Sequence, residues 1–409
     1  MVVQATQDHT TENLSTAWTP EGNRRPAYSD PVGVLVSGGV DSSVALARLS
    51  AAGFTNITAF YLKIWLEDDV SSLGECPWED DLGYARMVCR QFGVPLEVVS
   101  LQHDYYERVV EYALSELRAG RTPSPDIFCN QRIKFGAFLE RVGERTDWVA
   151  SGHYGRLVEA DGGDVHLYRA PDPVKDQSYF LSHLSQEQLS RTLFPIGGLQ
   201  KADVRTLADR LDLANRARPD SQGICFLGKI RYPDFVRYYL GEKEGRIVER
   251  ETGRTLGSHR GFWFYTIGQR QGLGLSGGPW YVTGKDVDGN VVFVTHGEAV
   301  SRQASDVVEL ESLHWIGRRP DWTAAAGAEA TNRFSVKLRH GPKRVACRID
   351  PGGAEGKSGR ASGVGETINL YLSECDRGVA PGQFGVLYDG ERCLGAGRIR
   401  AGYQSGRWA

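Results

Sequence analysis

The sequence predicts an α/β protein: a parallel sheet layered with helices, then a small central domain, then a C-terminal antiparallel β-barrel. Three observations carry this expectation. From Pro31 to about residue 155, short apolar strands alternate with helix-length segments. Beyond Phe226 the pattern changes to short strands between Gly-rich turns. From Ala304 to Ala409, short alternating strands dominate.

In the first region Val32–Val36 reads as a strand and Ser42–Ala52 as a helix with apolar Val44, Leu46, Ala47 and Leu49. Ile57–Leu62 reads as a second strand, Leu82–Phe92 as a helix and Leu96–Ser100 as a third strand. Helices are predicted over Asp104–Arg118 and Lys134–Arg145, and a further strand over Trp148–Ser151. Strands separated by helices call for a parallel sheet with helices on its faces. Residues 185–213 read as further helices. Arg246-Ile247-Val248 and Trp280-Tyr281-Val282-Thr283 read as short strands. In Arg333–Arg339 the apolar residues fall on one face only, which points to a small antiparallel barrel. Gly/Ser-rich Pro351–Gly365 is predicted to be a mobile loop within it. The expected division is a disordered tail over 1–30, a nucleotide-using catalytic domain over 31–228, a central nucleic-acid-contacting domain over 229–303 and the barrel over 304–409.

The chain of 409 residues is long enough for two or three domains. Its 41% hydrophobic and 24% charged residues are ordinary for a globular protein. No stretch approaches the roughly 20 apolar residues that span a bilayer, and residues 1–30 lack the apolar run of a secretory signal. A membrane partner is therefore not expected. Net charge is −3, so nucleic-acid binding requires a local basic face. Seven cysteines without a C-x-x-C pair or zinc-ligand spacing suggest a reducing cytoplasm and argue against structural zinc.

Val32-Gly33-Val34-Leu35-Val36 runs straight into Ser37-Gly38-Gly39-Val40-Asp41-Ser42-Ser43, a strand–loop–helix phosphate site. Glycines let the backbone approach phosphates, and the helix N-terminus stabilises negative charge. The competing reading is a Gly-rich turn with a helix cap. The loop lacks the G-K-[ST] ending that serves γ-phosphate chemistry. Its S-G-G-x-D-S pattern resembles the PP-loop of N-type ATP pyrophosphatases, with their adenine nucleotide alpha hydrolase-like sheet. That resemblance implies cleavage of ATP between the α- and β-phosphates, with Asp41 working through Mg²⁺.

Two cysteines stand in distinctive settings. In Arg121-Thr122-Pro123-Ser124-Pro125-Asp126-Ile127-Phe128-Cys129-Asn130, two prolines stiffen the approach to Cys129, which precedes a helical pattern near Ile133. A helix N-terminus favours a thiolate, and Asp126 is placed to act as acid or base. Cys225 lies in Asp220-Ser221-Gln222-Gly223-Ile224-Cys225-Phe226-Leu227-Gly228. A lone cysteine is more often buried filler, the reading assigned to Cys76, Cys89, Cys347, Cys375 and Cys393. An adenylated carbonyl needs a nucleophile, which raises the standing of Cys129 and Cys225.

These segments together resemble the bacterial and mitochondrial tRNA-specific 2-thiouridylases from about Val32 to the C-terminus. The match includes Ser37–Ser43, Gly120-Arg121-Thr122-Pro123, Cys129-Asn130, Gly152-His153-Tyr154, Lys175-Asp176-Gln177-Ser178-Tyr179-Phe180-Leu181, Gly223-Ile224-Cys225-Phe226, Gly268-Gln269-Arg270 and Ala380-Pro381-Gly382-Gln383. The resemblance implies that ATP binds Leu35, Val36, Ser37, Gly38, Gly39, Val40, Asp41 and Ser42, with Leu62 and Gly152 near the adenine or ribose. It implies adenylation of the C2 oxygen of a wobble uridine in tRNA. Cys225 then receives a persulfide sulfur from a donor protein, a cysteine desulfurase or sulfur-relay protein. Cys129 either attacks the activated carbon or resolves the persulfide, and both routes lead to a Cys129–Cys225 disulfide. The Asp220–Gly228 loop is predicted to be mobile and to close only on the substrate. Ser124 departs from the T-P-N-P-D pattern of the family, which puts its base contact in doubt.

For tRNA, the resemblance points to Ser124, Pro125, Asp126, His153, Lys175, Asp176, Gln177, Arg339, His340 and Gln383. A wobble base must be splayed from its loop into a pocket. Thr331–Arg348 holds Arg333, Lys337, Arg339, Lys343, Arg344 and Arg348 and no acid, and alternation gathers a basic face for phosphates. Two other readings compete. An argininosuccinate or GMP synthetase-like ligase has no use for Cys129 and Cys225, and an ATP-dependent tRNA-binding module makes both cysteines structural.

Overall fold

The computed structural model describes residues 15–22, 26–64, 78–220, 231–320, 333–350 and 367–405. The first layer is a five-stranded parallel sheet. Its strands begin with β1 (Val32–Leu35), β2 (Ile57–Lys63), β3 (Leu96–Ser100) and β4 (Trp148–Ala150). All four residues of β1 are buried, as expected of a central parallel strand covered on both faces. β5 (Arg156–Glu159) and β6 (Val165–Tyr168) leave this sheet as a hairpin, and β7 (Thr192–Leu193) rejoins it beside β4, giving the order β3-β2-β1-β4-β7. Residues 185–213 were expected to be helical throughout. Two residues of parallel pairing, Val149 with Thr192 and Ala150 with Leu193, carry too little periodicity to show in sequence.

Helix α1 (Val40–Ala51) starts two residues earlier than its apolar pattern, because Val40 and Asp41 of the phosphate loop are wound into its first turn. Asp41 at its beginning and Arg48 at its end both match the helix dipole. Its Leu46 and Leu49 pack towards the sheet with Val34 and Ala59, while Val40, Val44 and Ala45 meet Val204, Leu207 and Leu213 on the other side.

Part of the tail expectation is corrected. Within 1–30, Trp18 packs at 6.2 Å from the ring of Phe54, and Tyr28 meets the same ring edge-on at 5.4 Å. The Trp18 amide donates to Arg48 O at 3.2 Å. Two aromatic side chains give residues 15–22 and 26–30 enough apolar surface to dock; residues 1–14 lie outside the described residues.

The central unit is the sheet β10-β11-β8-β9, built from β8 (Gly245–Glu249), β9 (Thr255–His259), β10 (Trp280–Asp286) and β11 (Val291–His296). Ile247, Phe262, Trp280, Val282, Val292 and Val294 form its own core. The last unit comprises β12 (Ser305–Trp315), β13 (Phe334–Lys337), β14 (Val345–Asp350), β15 (Thr367–Asp376), β16 (Phe384–Asp389) and β17 (Arg392–Tyr403). These run in the order β12-β15-β14-β13-β16-β17, and pairing of β12 with β17 closes the barrel. The hairpin β5–β6 attaches to it through Arg392–Tyr168 and Cys393–Leu167 pairing, so the first unit lends strands to the C-terminal sheet. The expected loop Pro351–Gly365 falls outside the described residues. One core cluster contains both Phe128, Ile133 and Phe135 of the first layer and Phe384, Val386 and Tyr388 of the barrel. Burial of this shared apolar surface holds the units together.

Among the described residues no helix is long and apolar enough to cross a membrane.

Candidate active site

The loop Ser37–Ser43 leaves the C-terminal end of β1 and is braced by its own side chains. The Ser37 amide donates to Ser42 Oγ at 3.2 Å, and the Ser42 and Ser43 hydroxyls both donate to Gly39 O at 3.0 Å. Gly38 has φ +74°, and a Cβ there would overlap the Asp81 carbonyl, so the turn admits only glycine. Its carbonyl accepts from Asn215 Nδ2 at 2.8 Å and from Arg218 Nη1 at 3.0 Å, while Arg218 Nη2 pairs with Asp81 at 2.6 Å. Leu35 and Val36 are buried, so they face the loop through backbone only. Leu62, partly buried, packs against the core behind it.

Gly152 closes the site from β4. A Cβ at Gly152 would sit 2.7 Å from Asp41 C and Ser42 N, which means the backbone after β4 lies directly on the start of α1. The next residues diverge. His153 points into the core between Phe135 and Phe194, and its Nδ1 shares a 2.8 Å hydrogen bond with Ser151. Burial, helped by the charge of Lys134, holds this imidazole well below its ordinary pKa and therefore neutral. Tyr154 donates its hydroxyl to Asp41 Oδ1 at 2.8 Å; burial and then the Asp41 charge push its own ionisation far up.

Sequence reasoning missed the cations around Asp41. Lys201 Nζ lies 2.6 Å from Asp41 Oδ1 and 2.8 Å from Asp220 Oδ1. Lys175 Nζ lies 2.5 Å from Asp220 Oδ2, and Arg205 also pairs with Asp220. Burial works against the Asp220 charge, but the hydrogen bonds from Lys175 and Lys201 prevail and hold its carboxyl well below the usual carboxylate range. Lys201 is separated from Asp41 by 160 positions, and no local pattern links the two. Asp41 is about one-third exposed, with the acidic oxygen chemistry that suits Mg²⁺ on a nucleotide.

Cys129 lies in a continuous helical run: α-helix Pro125–Phe128, π-helix Cys129–Ala137, then α-helix Phe138–Val142. The helix starts at Pro125 because proline suits the first turn, where its missing amide costs nothing. The expectation that Cys129 sits at the N-terminus is thereby corrected. Its amide already bonds Pro125 O and Asp126 O, and the residue is 1% exposed. Asp126 occupies the first turn and is partly exposed, three positions before the sulfur. A π-turn is wide and leaves carbonyls to satisfy. Here Gln188 Nε2 donates to Gln131 O at 2.7 Å and to Phe135 O at 2.8 Å. Ser124 donates its amide to Tyr112 Oη at 3.3 Å, and Pro125 is buried.

The segment Lys175–Phe180 joins the two halves. Lys175 belongs to the cation cluster, Gln177 exchanges two 2.9 Å hydrogen bonds with the Tyr154 backbone, and Phe180 O accepts from Asn130 Nδ2 at 3.2 Å, next to Cys129. Asp176 between them is buried and pairs with Lys337 Nζ at 2.7 Å and Arg169 Nε at 3.0 Å. It is therefore shielded from solvent. From the barrel, His340 stacks on Phe180 at 4.7 Å. The turn before Gln383 meets the segment that leads to Cys129, where the Thr122 amide donates to Pro381 O at 2.8 Å. Arg339 is 42% exposed and bonded to Asp376 and Gly378 O.

The basic face expected of Thr331–Arg348 is largely compensated. Arg333 pairs with Asp389, Lys337 with Asp176, Lys343 with Glu374 and Arg344 with Glu391, while Arg348 lies over the Tyr371 ring. Acids distant in sequence supply these partners, Asp389 and Glu374 from other strands, Glu391 from a turn and Asp176 from the first layer, which one segment of sequence cannot reveal. Cys225 and Cys76 lie outside the described residues. Cys89, Cys347 and Cys393 are buried as expected, whereas Cys375 is exposed.

Three family models match consecutive regions: the tRNA methyl transferase HUP domain over residues 30–229, the tRNA methyl transferase PRC-barrel domain over 233–296, and the aminomethyltransferase beta-barrel domain over 305–399. The tRNA-specific 2-thiouridylase MnmA 1 of Bacteroides thetaiotaomicron is 45% identical over 370 residues, covering 90% of this chain and 99% of that protein. MnmA 2 of Bacteroides fragilis is 43% identical over 370 residues, with the same coverage. MnmA of Porphyromonas gingivalis is 42% identical over 373 residues, or 91% of this chain and 99% of that one. With identity of this level along nearly the whole of both chains, this protein belongs to the tRNA-specific 2-thiouridylase family.

Proposed function

We propose that this chain is a tRNA-uridine 2-sulfurtransferase that adenylates the C2 oxygen of a wobble uridine with ATP and then replaces that oxygen with sulfur. The observation that carries the first half is the phosphate loop. Gly38 at φ +74° and the close approach of Gly152 fix the turn that carries β1 into the N-terminus of α1, a strand–loop–helix arrangement whose amide end suits nucleotide phosphates. Asp41 would hold Mg²⁺, which neutralises phosphate charge when bound. The uridine oxygen attacks the α-phosphorus, pyrophosphate leaves, and AMP becomes a good leaving group on carbon.

The second half rests on Asp126 and Cys129, which share one helix, and on Cys225, which carries the persulfide from a donor protein. Cys129 either attacks the activated carbon or resolves the persulfide so that sulfide is released; Asp126 moves the proton. Both routes end in a Cys129–Cys225 disulfide that an external thiol reductant must open. Because Cys129 is 1% exposed, its sulfur meets a base only after the side chains over it shift. The tRNA contacts fall to residues that are not fully buried: Ser124, Gln177, Arg339, His340 and Gln383.

Mass spectrometry of nucleosides tests this reading. Incubation with unmodified tRNA, ATP, Mg²⁺ and a sulfur donor should yield 2-thiouridine, and omission of ATP should abolish it. Thiolation without ATP, or none with it, overturns the assignment.

A further inference from the structure

The loop Ser37–Ser43 contains no lysine or arginine. A triphosphate bound there must find its cationic partners elsewhere, since backbone amides alone do not balance the charge of the departing pyrophosphate. Beside the loop, three cations close on a single carboxylate. Asp220 takes Lys175 at 2.5 Å, Lys201 at 2.8 Å, and Arg205. Lys201 and Arg205 stand one turn apart on the helix Lys201–Arg210, and Lys175 comes from the turn capped by Asp172. Asp172 spends its oxygens on the amides of Val174, Lys175 and Lys201, so the backbone under two of the three cations is fixed.

We propose that Lys175, Lys201 and Arg205 form the seat for the pyrophosphate moiety of ATP, and that Asp220 is an internal anion which the pyrophosphate displaces. This rests on the adenylation reading above. Two ammonium groups and one guanidinium are the donor set that phosphate oxygens favour. Their side chains are 34%, 14% and 30% exposed, so an incoming anion reaches them. Lys201 also bridges to Asp41, which places the seat at the end of the loop. With Asp41, Asp172 and Asp220 the cluster is charge-balanced when no nucleotide is bound. Moving Asp220 aside frees three donors without exposing an uncompensated buried charge, because the Asp220 side chain is 26% exposed.

The test is calorimetric titration of the full chain in Mg²⁺ with inorganic pyrophosphate, ATP and AMP. Lys201→Met and Arg205→Met should each weaken pyrophosphate and ATP by about tenfold, with AMP unchanged. Asp220→Asn should act in the opposite direction and tighten pyrophosphate severalfold, because the competing internal anion is neutralised. Thermal unfolding of each variant verifies that it is folded, and Lys201→Arg should recover most of the binding. Weaker pyrophosphate binding in Asp220→Asn, or equal loss of AMP and pyrophosphate in Lys201→Met, overturns the seat while leaving the adenylation reading intact. A wild-type chain that binds neither ATP nor pyrophosphate overturns both.

Discussion

Lys337 of the barrel and Asp176 of the catalytic layer meet at 2.7 Å, with 1% and 0% of their side chains exposed. The pair bridges two units in the interior, and Arg169 supports the same carboxylate at 3.0 Å. Removing one member leaves a buried charge with less compensation. Lys337→Met should therefore cost about 3–5 kcal/mol in urea unfolding, and Asp176→Asn should partly rescue it in the double variant.

The same pair changes the expectation for tRNA binding. The basic face of Thr331–Arg348, Lys337 included, was expected to meet tRNA phosphates. With its ammonium buried on Asp176, Lys337 contacts no phosphate, and the slope of binding against salt should be unchanged in Lys337→Met. Arg339, 42% exposed, should lower that slope by about one when changed to Gln, measured by filter binding over a salt series.

Gly38→Ala should abolish ATP-dependent adenylation, because a side chain there overlaps the Asp81 carbonyl and demands an unfavourable φ. Pyrophosphate–ATP exchange measures this directly. Wild-type exchange in Gly38→Ala would show that the loop does not hold the nucleotide.

Cys129→Ser and Cys225→Ser should each eliminate 2-thiouridine while adenylation continues, because neither sulfur is needed to activate the oxygen. Nucleoside mass spectrometry and pyrophosphate exchange on the same samples separate the two half-reactions. Retained thiolation in either variant contradicts the assigned roles.

Acid should destabilise the fold in a defined window. His153, His166, His183, His259, His314 and His340 all have depressed pKa values, with burial as the leading cause. His183 and His314 are stacked at 5.1 Å where the first layer meets the barrel, and after burial the charge of His314 further lowers the pKa of His183. Below the ordinary histidine value of 6.5 the unfolded chain binds protons that the native chain refuses, so stability falls as pH drops. Thermal unfolding should shift downward between pH 7 and 5, and His314→Phe should reduce that shift.

Much of the fold was legible because its signals are local. Val32–Val36 followed by Ser37–Ser43 is one contiguous strand–loop–helix unit, and the residues that supply its amides and hydroxyls are adjacent in sequence. The single-face apolar pattern of Arg333–Arg339 likewise announced a barrel strand. The π-helix at Cys129–Ala137 was not legible, because its widened turn depends on Gln188, an amide donor from another element. Alternation placed Lys337 on the polar side of its strand, yet only docking of the catalytic layer decided that this side would be buried. The sequence by itself determined the phosphate loop, the order of units and the family; tertiary structure decided which charges remain available. That choice belongs to the fold because Lys201 and Asp41, or Lys337 and Asp176, acquire their electrostatic character only when packing brings them within hydrogen-bonding distance and excludes water.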